Sequence, residues 1–154
     1  MNKKKKFFVA LMLALPVIVF ALGIVSISPS NASALPGAYN VSVPIILSNN
    51  DSVAVLEFQV NHTQYLIFRG AENTTRTQNA TIESNEISPT VVSVAAFVPG
   101  NISAGDGAIM NLIFDVNESA TPGNYTIGMS DVLLTNVDID NMSSTSSDSL
   151  FTVI

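Results

Sequence analysis

Downstream of residue 34, nine asparagines open an Asn-X-Ser/Thr triplet in which X is not proline: Asn40, Asn50, Asn61, Asn73, Asn79, Asn101, Asn117, Asn124 and Asn141. Such a triplet accepts an N-linked glycan, which requires an exposed amide on a chain that has crossed a membrane. Residues 35–154 hold 13 Asn and 25 Ser or Thr. Random placement of that composition gives about 3 triplets, so nine is roughly a threefold excess. The excess points to a secreted or cell-surface protein; the plainer source is a composition rich in Asn, Ser and Thr.

Other reactive groups are sparse. There is no cysteine, which removes disulfides, thiolate zinc sites and thiol catalysis together. His62 is the only histidine; at a strand end inside a glycosylation triplet, it reads as a solvated loop residue. Paired carboxylates such as Glu57 and Asp115 are the groups a glycosidase needs, but as isolated charges they read as sheet-surface residues. Asp138-Ile139-Asp140 begins like a calcium loop. Met142 then occupies the place of a third oxygen ligand and no glycine follows, so the segment reads as a solvated acidic turn. Neither an enzyme activity, a metal nor a cofactor is expected.

The N-terminus supports export. Lys3 to Lys6 form a positive region, Phe7 to Val25 an apolar stretch, and Ala32-Ser33-Ala34 the small residues of a cleavage site,. These features predict a signal peptide over 1–34; left uncleaved, the same stretch is just long enough to anchor the chain in a bilayer. Beyond it, Arg69 and Arg76 face 12 carboxylates, a net charge of −10. That balance repels nucleic acid and anionic membrane, so neither is an expected partner, and membrane contact is expected only through an uncleaved N-terminal segment. Residues 36–154 suffice for one domain held by its core.

The elements that must position these groups follow a period of two. Tyr39, Val41, Val43, Ile45 and Leu47 alternate with Asn40, Ser42 and Pro44, Leu56, Phe58 and Val60 with Glu57 and Gln59, and Met110, Leu112, Phe114 and Val116 with Asn111 and Asp115, while Val92, Val94, Ala96 and Val98 recur at the same spacing. Shorter strands are predicted at 66–68, 80–84, 125–129, 132–137 and 150–154. The serine-rich run 143–149 reads as a mobile loop. About nine short strands with no helix-period segment predict an all-β protein, an antiparallel β-sandwich of jelly-roll type.

In order along the chain, Gly37-Ala38-Tyr39-Asn40-Val41-Ser42-Val43-Pro44-Ile45, Leu56-Glu57-Phe58-Gln59-Val60, Gly105-Asp106-Gly107 leading into Ala108 to Val116, and Pro122-Gly123-Asn124-Tyr125-Thr126-Ile127 with Ser130-Asp131-Val132 resemble a cohesin domain. Cohesins are jelly-roll sandwiches that bind dockerin modules in cellulosomes and in related surface proteins. Asn61-His62-Thr63 departs from the family's Tyr-Asp-Pro. The resemblance implies a non-catalytic module whose partner is a protein, dockerin-bearing, docked on one sheet face. On the corresponding strands the outward positions are Val55, Glu57, Gln59, Glu83, Ser93, Ala95 and Phe97. The fold is also related to that of carbohydrate-binding modules, so polysaccharide is an alternative ligand and a structural subunit of a surface layer an alternative role. Against polysaccharide, the chain has no Trp and three Tyr, of which Tyr39 and Tyr125 fall on inward positions.

If the triplets are used, protein exported by its native host should migrate above the calculated mass of its polypeptide and shift down on enzymatic or chemical deglycosylation; an unshifted band would reduce them to composition.

Overall fold

The computed structural model describes residues 25–154, so the lysine-rich region and nearly all of the apolar stretch lie outside the described residues. Eleven strands follow in order: β1 (Val25–Pro29), β2 (Ala32–Ala34), β3 (Val41–Asn49), β4 (Val53–Asn61), β5 (Leu66–Asn73), β6 (Thr81–Ser88), β7 (Val91–Ile102), β8 (Gly105–Val116), β9 (Gly123–Thr135), β10 (Ser144–Ser146) and β11 (Ser149–Val153). A single 3-10 turn, Thr75–Thr77, precedes β6. The strands form a five-stranded sheet in the order β10-β1-β3-β8-β5 and a six-stranded sheet in the order β2-β11-β9-β4-β7-β6. The predicted all-β sandwich is what the chain adopts.

Alternation decides which side of each strand is buried. In β3, Val43, Ile45 and Leu47 are fully buried; in β4, Leu56, Phe58 and Val60; in β7, Val92, Val94 and Ala96; in β8, Leu112 and Phe114. Because successive side chains point to opposite faces, each run gives one sheet an apolar inner face, and the two faces close on each other. Phe58, Phe114 and Phe151 are the largest side chains in that core, with Phe68 edge-on to Phe114 at 5.5 Å.

The two arginines of the described residues serve the frame. Arg76, on the 3-10 turn, donates from Nη1 to the carbonyls of Leu47 (2.7 Å) and Gly107 (3.1 Å), and from Nη2 to Asn49 Oδ1 (2.8 Å) and the Ser103 carbonyl (3.0 Å). It thereby ties β3, β8 and the β7–β8 turn at one end of the sandwich. Arg69 Nε donates to Asp115 Oδ2 at 2.6 Å, and the Asn40 N–H donates to Asp115 Oδ1 at 2.9 Å, joining β5, β8 and the entry to β3. Asp115 is buried, not a free surface charge. Its carboxyl is held below the ordinary range, first by the Asn40 N–H and then by Arg69.

Three expectations are corrected. The sandwich includes residues 25–34, upstream of the expected start at 36, because β1 and β2 carry the chain from one sheet to the other and Val25 and Ile27 are core residues. The serine-rich run is ordered: Ser144–Ser146 pairs in parallel with β1, and Ser149 is buried in β11. The strands expected at 125–129 and 132–137 are one strand, β9. A bulge sets Leu133 opposite Glu57 and Ser130 opposite Gln59, with Asp131 at φ 51° absorbing the extra residue,.

Phe114→Ala should destabilise the domain by about 3–5 kcal/mol in chemical denaturation, while Glu83→Ala, on an outward position, should stay within about 0.5 kcal/mol. Equal losses would contradict the register.

Candidate functional site

Pairing across the six-stranded sheet brings all seven outward positions together. Glu57 of β4 stands opposite Ala95 of β7, and Ala95 opposite Glu83 of β6. One row away Gln59 faces Ser93, which faces Asn85; on the other side Val55 faces Phe97, which faces Thr81. The face is continued on β9 by residues that the alternation in sequence did not single out: Leu133 beside Glu57, Ser130 beside Gln59 and Gly128 beside Asn61. Ser130 and Gly128 were readable as the positions between Ile127 and Met129 and beyond. Leu133 was not, because only the bulge at Asp131 turns it outward.

The four strands thus present an open face on which Val55, Ala95, Phe97 and Leu133 surround Glu57, with Gln59, Ser93 and Asn85 along the next row. Phe97 is 56% exposed and Leu133 39%, and with Val55 and Ala95 as neighbours on the same face they form one contiguous apolar patch,. Glu57 and Glu83 stand exposed within the same rows. With Arg69 paired to Asp115 and Arg76 bonded to the β3 and β8 carbonyls, no cation of the described residues neutralises them. A shallow depression of about 160 Å³ lies between Glu83, Asn85, Ser93 and Ala95.

The other sequence candidates are dispersed. Glu57 and Asp115 occupy different sheets, both pointing outward, so they stand on opposite sides of the sandwich and cannot act on one bond. Tyr39 lies before β3 and is 69% exposed, contrary to the inward position expected of it; Tyr65 and Tyr125 pack edge-to-face at 5.2 Å. The three rings form no common platform. In the acidic turn, the N–H groups of Asp138 and Asp140 both donate to Asn136 Oδ1 at 2.9 Å. Among the described residues no cluster of three or more His, Asp or Glu is arranged to hold a metal ion.

None of the nine triplet asparagines is buried. Asn49, outside any triplet, is the buried one; its amide donates to the Asp51 and Ser103 carbonyls. Asn61 sits on the open face itself and donates to Ser130 Oγ at 3.1 Å; Asn79 is exposed just before β6.

No protein-family model matches the sequence, and no curated protein matches it. Solved structures do. The chain superposes on the CaCohA2 cohesin of Clostridium acetobutylicum, in its complex with CaDoc0917, with a TM-score of 0.75 at 20% identity, covering 84% of this chain and 99% of that one. A non-cellulosomal cohesin from the hyperthermophilic archaeon Archaeoglobus fulgidus gives 0.74 at 17% identity, covering 84% and 91%. The OlpA cohesin of Clostridium thermocellum, in a type I complex with the dockerin Doc918, gives 0.75 at 15% identity, covering 85% and 99%. The architecture is therefore that of a cohesin domain.

His62, at the end of β4, differs from its expected solvated state: it is 6% exposed. Its backbone N–H donates to the Thr90 carbonyl at 2.8 Å, and its ring packs edge-on to Phe114 at 5.0 Å. Nδ1 lies 3.0 Å from the Thr63 carbonyl, an acceptor, so Nδ1 carries the proton and Nε2 is a bare acceptor buried without a partner. Burial lowers the pKa below 6.5, opposed by the Thr63 carbonyl and by Glu86. The unfolded chain thus binds a proton that the folded one resists, and stability falls as pH drops from about 6.5. The corresponding loss from Asp115 starts only near 3.8. Unfolding midpoints measured between pH 7 and 5 should decline in the wild type and flatten in His62→Gln; parallel curves would contradict a buried neutral imidazole.

Proposed function

We propose that this chain is a non-catalytic, cohesin-like recognition module, exported to the cell surface or medium, that binds a dockerin-type protein partner through the outward face of β9, β4, β7 and β6. The observation that carries the reading is the partly exposed apolar patch of Val55, Ala95, Phe97 and Leu133 around Glu57, next to the amides and hydroxyls of Gln59, Ser93 and Asn85 on one four-stranded face. Apolar contacts set beside hydrogen-bonding groups suit a protein interface. The cohesins of Clostridium acetobutylicum and Clostridium thermocellum that share this fold were captured in complexes with dockerins. The triplet asparagines and the lysine-led apolar N-terminus support export.

Charge narrows the partner. Glu57 and Glu83 bracket Ala95 with no cation of this chain beside them. Closing a partner over them removes water from both carboxylates, which costs several kcal/mol per ion unless opposite charges replace it. A partner that fits therefore offers lysine or arginine around an apolar contact, and its affinity weakens with added salt. Polysaccharide is the less favoured ligand, because stacking on sugar faces needs aligned aromatic rings and the tyrosines are scattered.

Affinity capture from the native secretome on the immobilised domain should recover a dockerin-bearing protein; retention of the domain on insoluble polysaccharide, with no such protein recovered, would overturn the reading. With a captured partner, Glu57→Lys and Ala95→Arg should each weaken binding by about 2–5 kcal/mol while leaving thermal unfolding near wild type. Unchanged binding in both variants would exclude this face.

A further inference from the structure

We propose that export processing cuts this chain after Gly23, so that the mature protein begins at Ile24 and keeps β1 and β2. A cut after Ala34, where small residues cluster, would remove both strands. β1 lies between β3 and β10, with Ser26 opposite Ser48 and Ile27 opposite Leu47 on one side and Val25 beside Ser144 on the other. Its Val25 and Ile27 are each 1% exposed. β2 runs parallel to β11, Ala32 beside Phe151 and Ala34 beside Val153, and the Ile154 N–H donates to the Ala34 carbonyl at 3.0 Å. The link between them is also bonded in: the Ser30 N–H donates to the Pro44 carbonyl at 2.7 Å and the Leu150 N–H to Asn31 Oδ1 at 2.9 Å. Losing 25–34 would uncover two core positions, strip β10 of its partner and leave β11 an unpaired edge.

The similarity to solved cohesins points the same way. Matches covering 84% of the chain are longer than residues 36–154 alone could supply, so they extend into β1 and β2. The small residues at 32 and 34 have a packing reason, since Ala32 and Ala34 lie partly buried against the core.

Immediately upstream of β1, Ala21-Leu22-Gly23 places small residues at the third and first positions before a scissile bond, as leader peptidases require. The apolar run between Lys6 and Ala21 is then Phe7 to Phe20, 14 residues, within the usual range of about 7–15 for a leader. The step is hydrolysis by a membrane leader peptidase: the Gly23–Ile24 amide bond breaks, water gives its hydroxyl to the Gly23 carboxyl and its proton to the Ile24 amine.

The test is the N-terminus of the full-length gene product exported by its native host, read by sequencing and by intact mass after deglycosylation, in wild type and in Gly23→Leu. The expected result is Ile24 in the wild type and accumulation of uncut precursor in Gly23→Leu. A wild-type N-terminus at Leu35, at Met1 or anywhere else, or normal processing of Gly23→Leu, would overturn the proposal. The proposal rests on the export proposed above; because partner binding is not read, its failure is distinguishable from failure of the proposed interface.

Discussion

With no cysteine to tie them, the two sheets hold together by the apolar side chains they bury between them. Each fully buried Val, Leu, Ile or Phe contributes about 1.5–3 kcal/mol over its exposed state, and β3, β4, β7, β8 and β9 each supply two or more of them. This requirement commits one face of each strand to the interior. The outward face of β9, β4, β7 and β6 is released from that packing and can therefore hold residues that a core would reject, Glu57 and Glu83 among them, beside residues that water disfavours, Phe97 and Leu133.

The same economy governs charge. The described residues contain two cations, and both close the frame: Arg76 gathers backbone carbonyls at the end of β3 and β8, and Arg69 satisfies the buried carboxylate of Asp115. Neither is left to neutralise the open face. Its negative character is thus a consequence of how the fold uses its arginines, and it gives the proposed partner a chemical description.

Period-two alternation made β3, β4, β7 and β8 readable, because strands with one buried face write their orientation directly into the sequence, and the seven outward residues followed from it. What stayed hidden depends on contacts distant in sequence. Val25 to Ala34 looks like the tail of a leader because its apolar and small residues suit a membrane segment as well as an edge strand; only the pairing with β3 and β11 tells the two apart. Serines 144 and 146 have no strand pattern of their own and are ordered by β1. His62 reads as polar and solvated, yet β4 delivers it to the edge of Phe114. Leu133 required the bulge at Asp131, which alternation cannot foresee since it breaks alternation.

The central claim is that one face, and not the other, receives a protein partner. Cross-saturation NMR on the deuterated, amide-labelled domain bound to its captured dockerin-bearing partner tests it most directly. The account predicts the strongest signal losses along 55–59, 83–85, 93–97 and 130–133, with β3, β5 and β8 unaffected. Losses concentrated on β5 and β8, around Arg69 and Asp115, would contradict it.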